Sequence, residues 1–127
     1  MQPYKFQHQE EFSDALKDLI VQIYKLSKNN NLKKDRCFQE ELRRSALSFM
    51  VNITSGRESM SSAQFKDCIT QVKASAVKLR AQLLISREFG YLSEGDLIDF
   101  KDKIHRAMAS LEDFKKNLAL SDDMDFT

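Results

Sequence analysis

Residues that interrupt helices are almost missing from this sequence. Its 127 residues include three glycines and a single proline, Pro3, close to the amino-terminal end. Glycine and proline mark the turns of hairpins and sheets, so a chain that lacks them offers few places for strands to reverse direction. The sequence therefore predicts an all-α protein.

Apolar residues recur at steps of three and four in the first half of the chain, which places them on one face of a helix. The stripes predict helices over residues 9–28 and 36–55. We expect Asp35 to cap the start of the second helix and Gly56 to end it in a left-handed conformation. The predicted core positions of these helices are Phe12, Leu16, Leu19, Ile20, Ile23 and Leu26, then Phe38, Leu42, Ser45, Ala46, Phe49 and Ile53.

Two further helices are predicted over residues 62–89 and 94–119. Ser61 and Gln64 have the spacing of a capping box, Ser93 is a plausible cap for the last helix, and Gly90 follows the end of the third. The acidic segment 121–127 is expected to be a mobile tail. The inner faces comprise Phe65, Cys68, Ile69, Val72, Ala76, Leu79, Leu83 and Ser86, then Leu97, Ile104, Met108, Leu111, Phe114 and Leu118, with Lys101 and Lys115 as interruptions.

Helices of about twenty residues are about 30 Å long, and the connections between them are short. Short connections force successive helices to be antiparallel neighbours. The expected architecture is an antiparallel up-down-up-down four-helix bundle that occupies residues 1–127 as a single domain.

Composition narrows the cellular setting. The chain is 42% hydrophobic and 31% charged, and it contains no apolar run of the roughly 20 residues that a bilayer span needs. The segment that begins Met1-Gln2-Pro3 lacks the continuous apolar stretch of a secretory signal. We expect a cytoplasmic protein without a membrane partner.

Residue types that carry chemistry are sparse. Cys37 and Cys68 have no CxxC spacing, and His8 and His105 stand far apart without a Glu-x-x-His pattern. Each cysteine is more plausibly inert than reactive. We expect no metal, no cofactor, no small-molecule substrate and no enzymatic activity.

Basic residues gather around the first connection and the first turns of the second helix. Such residues could hold the phosphates of RNA or DNA through release of counterions, although Asp35, Glu40 and Glu41 dilute the local charge. A merely solvated basic surface is the competing interpretation, because the formal net charge is only +1. The candidate nucleic-acid-binding residues are Lys28, Lys33, Lys34, Arg36, Arg43 and Arg44.

Apolar residues also occur outside the core stripes of three successive helices. If they are exposed together, they exceed the apolar patch that a monomer usually tolerates and indicate a subunit interface. The competing interpretation is a wide core stripe. The candidate interface residues are Leu47, Met50, Val51, Leu84, Ile85, Ile98 and Phe100.

Two segments resemble a known family. Residues 41–48 read Glu-Leu-Arg-Arg-Ser-Ala-Leu-Ser, and residues 52–56 read Asn-Ile-Thr-Ser-Gly. This pattern is similar to the four-helix-bundle family first noticed in intervening sequences of 23S ribosomal RNA genes, whose signature runs Gln-Leu-Arg-Arg-Ala and then Asn-Ile-Ala-Glu-Gly. A third segment, residues 74–80, reads Ala-Ser-Ala-Val-Lys-Leu-Arg and resembles the family's Gly-Ser-x-x-Glu-Leu block. Glu41 and Ser55 depart from the signature, and Lys78 replaces the Glu of that block. The resemblance extends from about Phe12 to Leu118.

The resemblance implies a ring-like homo-oligomer, typically of five subunits, without an implied enzymatic activity. Some relatives serve as accessory proteins of diversity-generating retroelements and bind nucleic acid and a reverse transcriptase through basic surfaces. Two functions therefore stand side by side: an oligomeric scaffold or adaptor, and an accessory protein that binds structured RNA or DNA. An enzyme site between subunits has no support in the sequence.

Overall fold

The computed structural model describes the backbone of residues 3–125, and the side chains of Asp14 and residues 16–116. The described chain is all-α and contains five helices, which confirms the predicted class. They are α1 (Pro3–Ser27), α2 (Asn30–Lys34), α3 (Arg36–Arg57), α4 (Ser62–Glu88) and α5 (Glu94–Asp125). No helix within the described residues is both long and apolar enough to cross a membrane.

The four long helices bury one shared apolar core. Helix α3 packs against α1, α4 and α5, while α5 also contacts α1 and α4. The apolar stripes predicted from the sequence supply most of the core, although the side chains of Phe12 and Leu118 lie outside the described residues. Fully buried members include Leu19, Ile23, Leu42, Phe49, Leu79, Leu83, Leu97, Ile104 and Leu111.

The predicted amino-terminal caps are present. An Asp35 carboxylate oxygen accepts the backbone N–H of Phe38 at 3.2 Å, and the Ser61 hydroxyl accepts that of Gln64 at 3.2 Å. Ser93 does the same one residue before α5, where its hydroxyl accepts the third helical N–H at 3.1 Å. These side chains satisfy helix-end N–H groups that have no partner within the helix.

Gly90 ends α4 as predicted. Its φ is +79°, a region that residues with a Cβ rarely adopt. The N–H of Gly90 donates to the carbonyl of Arg87 at 2.9 Å, and the N–H of Tyr91 donates to that of Ser86 at 2.8 Å. This pair of hydrogen bonds is the Schellman arrangement, which turns the chain towards α5.

Gly56 does not have the role predicted for it. Helix α3 continues through it to Arg57, and Gly90 alone among the glycines of the described chain has a positive φ. A Cβ at Gly56 would lie 3.0 Å from Cδ1 of Leu111, so the glycine is needed for the close approach of α3 to α5. The prediction of a left-handed terminator was wrong because sequence spacing does not show which helix lies opposite.

Helix boundaries differ from the predictions at three places. The first connection holds the short helix α2, which is capped by Asn29 and anchored by the fully buried Leu32. Helix α1 begins at Pro3, a residue that the first turn of a helix accepts. Helix α5 continues through Asp125, where a mobile tail was predicted from residue 121; residues 126 and 127 lie outside the described range.

Candidate functional site

Four of the six predicted basic residues line one pocket, which we call the basic pocket. It is formed by Lys28, Lys33, Arg36, Gln39 and Arg43, and its volume is about 510 Å³. Among the residues whose side chains are described, no acidic one belongs to this lining. The pocket therefore concentrates positive charge on a chain whose formal net charge is only +1.

Three successive helices position these side chains. Lys28 directly follows α1, Lys33 belongs to α2, and Arg36 is the first residue of α3. Gln39 and Arg43 follow at steps of three and four, which keeps them on the same face of α3 as Arg36. The insertion of α2 brings Lys33 to that face.

Ser27, the last residue of α1, joins α1 to α3 beneath the pocket. Its side chain is fully buried, and its hydroxyl donates to the carbonyl of Tyr24 at 2.7 Å. The same hydroxyl accepts Nε–H of Arg43 at 2.7 Å, and the Ser27 carbonyl accepts a hydrogen bond from the Gln39 amide at 2.7 Å. Side chains from α3 thus satisfy polar groups that the end of α1 would otherwise leave unpaired.

Arg43 is held on two sides. Its Nε is bonded to Ser27, and its guanidinium carbon lies 5.2 Å from the centroid of the Tyr24 ring, within the range of a cation–π contact. The two terminal nitrogens of the guanidinium form no hydrogen bond or ion pair with any described residue. The hydrogen bond at Nε and the contact with the Tyr24 ring therefore set the orientation of the two terminal nitrogens.

The cations of the pocket take part in none of the ion pairs of the described chain. Lys28, Lys33 and Arg36 form no ion pair with residues whose side chains are described. Lys28 and Lys33 lie at the carboxyl ends of α1 and α2, where the helix dipole favours a cation. Arg36 lies at the amino end of α3, where the dipole disfavours a cation; the first turn of α3 contains no acidic residue, and the carboxylate of the preceding Asp35 caps the helix.

Arg44 and Lys34 do not line the pocket, so the structure separates two of the six predicted residues from the other four. Arg44 follows Arg43 by one position and thus points about 100° away around the helix. It forms an exposed ion pair with Glu41 at 2.8 Å, and Lys78 of α4 lies 3.7 Å from the same carboxylate.

The predicted interface residues divide into exposed and buried members. Leu47, Val51, Leu84, Ile85 and Ile98 are exposed. Met50 is half-buried against the core, and Phe100 is only 6% exposed and belongs to the core. Phe100 was therefore assigned wrongly: it lies four residues before the core residue Ile104 and on the same side of α5.

Val77 was missed by the sequence prediction, although it is 56% exposed. It precedes Leu84 by seven residues, which is two helical turns, so both lie on the same outer face of α4. That spacing is a signal that could have identified it.

An aromatic cluster of Phe38, Phe89 and Tyr91 joins the start of α3 to the end of α4. Ring centroids lie 6.1 Å apart for Phe38 with each of the other two rings, and 5.6 Å apart for Phe89 and Tyr91. Phe89 is 56% exposed. No local sequence pattern predicts this cluster, because about fifty residues separate Phe38 from its partners.

Within the described part of the chain, no group of three or more His, Cys, Asp or Glu side chains is placed to hold a metal ion. Cys37 is exposed near the start of α3, and Cys68 is half-buried with its sulfur 3.9 Å from the Ser59 hydroxyl.

The chain is similar to a known protein family. A family model described as 23S rRNA-intervening sequence protein matches residues 10–124. No curated protein matches the chain.

Proposed function

The chain belongs to the 23S rRNA-intervening sequence protein family, and we propose that this member is a non-enzymatic protein that self-associates and acts as a scaffold or adaptor. The observation that carries the proposal is the exposed apolar surface of α3 and α4, formed by Leu47, Val51, Val77, Leu84 and Ile85. We call it the outer apolar surface.

The proposal includes an antiparallel up-down-up-down arrangement of α1, α3, α4 and α5. Phe38 near the start of α3 contacts Phe89 just after α4, while Asn52 further along α3 donates to the Ser75 hydroxyl within α4 at 2.6 Å. Residue numbers that rise on one helix and fall on its neighbour are typical of antiparallel packing. The connections between these helices are also short.

The outer apolar surface lies away from the core on both helices. On α3, Leu47 and Val51 are four residues apart and face opposite to the buried Phe49. On α4, Val77 and Leu84 face opposite to the buried Leu79. Since α3 and α4 pack against each other, their outer sides adjoin.

An aliphatic surface with charges beside it fits a second copy of the same chain. Interfaces place apolar residues at their centre and polar residues at their rim. Arg44, Glu41 and Lys78 form a charged group on the same pair of helices. Five copies is the number that the family resemblance implies.

The test is the native mass by size exclusion with light scattering. We expect the wild-type chain to be oligomeric and Val51→Asp or Val77→Asp to shift it towards monomer, because a buried unpaired charge opposes association. Val21→Asp is the matched control, since Val21 is exposed on α1 outside this surface. A wild-type monomer at micromolar concentration would contradict the proposal.

The basic pocket supports a second candidate function, binding of structured RNA or DNA. Four cations that line one pocket are a local electrostatic feature that the net charge does not show. A ring would repeat the pocket, so weak contacts would add through avidity.

Binding to a hairpin RNA, followed by fluorescence anisotropy at two salt concentrations, tests this candidate. We expect binding to weaken as salt rises and Arg43→Glu to abolish it at low salt. Absence of any salt-dependent binding would remove this function and leave the scaffold proposal intact.

A further inference from the structure

We propose that the basic pocket binds one phosphate group of a phosphate ester, and that the terminal nitrogens of Arg43 recognise its oxygens. This inference rests on the second candidate function above, because it names the chemical group that the pocket takes. It goes further by separating one recognition residue from the general positive charge.

The geometry of Arg43 supports this assignment. Hydrogen bonding of Nε to Ser27 and the contact with Tyr24 restrain the guanidinium before any ligand arrives. A guanidinium presents its donors in a rigid fork that matches two oxygens of a phosphate. Because the side chain is already ordered, binding loses less conformational entropy than binding to a mobile arginine.

The positioning of Arg43 depends on a short chain of hydrogen bonds. The Ser27 hydroxyl donates its proton to the backbone carbonyl of Tyr24, so its lone pairs are free to accept Nε–H of Arg43. The Gln39 amide donates a hydrogen bond to the Ser27 carbonyl, which fixes the contact between α1 and α3 from a second position on α3. Ser27 and Gln39 are therefore positioning residues, and neither needs to contact the ligand.

The other three cations favour a doubly charged ligand. Lys28 and Lys33 can approach a phosphate as point charges, and Arg36 adds a second guanidinium. A carboxylate carries one negative charge and would leave most of this cluster unbalanced. A phosphate monoester carries nearly two negative charges at neutral pH, and two neighbouring phosphodiesters together carry a similar charge.

Among these residues, Arg36 says most about a ligand, because a cation at its position destabilises helix α3. A cation in the first turn meets the positive end of the helix dipole. Bound phosphate would reverse this relation, since an anion at that end is favoured. Helix ends explain the two lysines, whereas at Arg36 the helix end is unfavourable and a favourable charge must come from the adjacent Asp35 carboxylate or from a ligand.

The size of the pocket limits the ligand. A volume of about 510 Å³ falls within the usual range of sites for small ligands, about 300–1,000 Å³. It is large enough for a phosphate with its sugar, a group that a flexible single strand can present more readily than a rigid duplex can. The phosphate can come from an exposed nucleic-acid backbone or from a free nucleotide.

Isothermal titration calorimetry at low salt distinguishes these sources. The probes are inorganic pyrophosphate, adenosine 5′-monophosphate, a short single-stranded RNA with and without a 5′-phosphate, and a duplex of the same sequence. We expect pyrophosphate to bind to the wild-type chain and single strands to bind more tightly than the duplex.

Variants of two adjacent arginines provide the decisive comparison. We expect Arg43→Gln to weaken pyrophosphate binding about 10- to 100-fold, the range for loss of charge-assisted hydrogen bonds, and Arg44→Gln to leave it nearly unchanged. Both variants remove one positive charge. Equal losses would overturn the proposal, because they would show a diffuse electrostatic attraction.

Arg43→Lys keeps the charge but removes the fork and Nε, and we expect it to weaken binding about as much as Arg43→Gln. Retained affinity in this variant would overturn the assignment of Arg43. Ser27→Ala should weaken binding with every charge in place; if it does not fold, Gln39→Met tests the same joint by the same measurement.

The outcomes separate this inference from the function on which it rests. Binding of pyrophosphate and nucleotide through Arg43, without binding of any RNA, would support the phosphate site and reject the nucleic-acid function. Binding of RNA with no binding of small phosphates and no difference between the Arg43 and Arg44 variants would reject the phosphate site alone.

Discussion

Two arginines of α3 lie over aromatic rings in different surroundings: Arg43 two turns into the helix, and Arg57 at its last residue. Arg43 lies 5.2 Å from the ring centroid of Tyr24, beside the basic pocket. Arg57 lies 5.4 Å from that of Phe114, in the region where Gly56 meets Leu111. The distances are nearly the same, so geometry alone does not distinguish the two contacts.

The surroundings of Arg57 indicate packing. Burial lowers the pKa of the Arg57 guanidinium from its ordinary value, because loss of water disfavours the charged form. Its partner Phe114 also packs against Phe65, with ring centroids 5.9 Å apart. The Arg57 region is a packed joint between α3 and the helices on either side of it.

Charge density characterises the Arg43 region instead. Other cations surround Arg43, and its contacts occupy only Nε and one face of the guanidinium. The comparison teaches that a cation–π contact can serve packing at one site and orientation at another. The two roles differ in whether the guanidinium keeps N–H groups that can still bind a ligand.

The largest expected effect lies at the packed joint. Gly56→Val should destabilise the protein by about 3 kcal/mol, because added methyl groups would overlap Leu111 in the core. Gly95→Ala is the control, since its Cβ would meet nothing closer than the Ser93 hydroxyl at 3.8 Å, and it should not destabilise. Urea unfolding measures both, and equal stability of the two variants would disprove the close-approach role.

Exchange of each ring for leucine gives an intermediate effect. Phe114→Leu should cost about 2 kcal/mol and Tyr24→Leu about 0.5–1 kcal/mol, because Phe114 also packs against the ring of Phe65. Phosphate affinity should show the reverse order, with a loss only for Tyr24→Leu. Urea unfolding measures the stability of each variant, and calorimetry on the same samples measures its phosphate affinity. If both variants lost stability and phosphate affinity to the same extent, the two regions would not differ in role.

The smallest effect concerns Arg36. Arg36→Gln should stabilise the protein by about 0.3–1 kcal/mol at low salt, because it removes a cation from the amino end of α3. High salt should cancel the gain. Lys28→Gln serves as the matched control of opposite sign, since Lys28 follows the carboxyl end of α1. Thermal unfolding at two salt concentrations measures both variants; a loss of stability in Arg36→Gln would contradict the dipole argument.

Local sequence patterns predicted the helical elements well. The apolar stripes and the caps at Asp35, Ser61 and Ser93 are properties of a few neighbouring residues, and the structure contains them. Gly90 was predicted correctly for the same reason: a turn and a following helix start both depend on adjacent positions.

Errors occurred where another helix decides the outcome. Gly56 has the same spacing after its stripe as a helix terminator, yet Leu111 of α5 lies against it. Phe100 and Ile98 are both apolar and two positions apart, and only one faces the core. In the pocket, charge clustering found Lys28, Lys33, Arg36 and Arg43 but not the Ser27 joint, which depends on hydrogen bonds between α1 and α3.

The Ser27 hydroxyl also has a kinetic consequence. Its proton is committed to Tyr24, so the guanidinium of Arg43 is already oriented when a ligand collides with the pocket. The surrounding cations then set how fast an anion is attracted, and that association rate falls as salt screens them. The oriented fork sets how slowly the anion leaves. Salt should therefore change the association rate constant, whereas a substitution at Ser27 should change the dissociation rate constant.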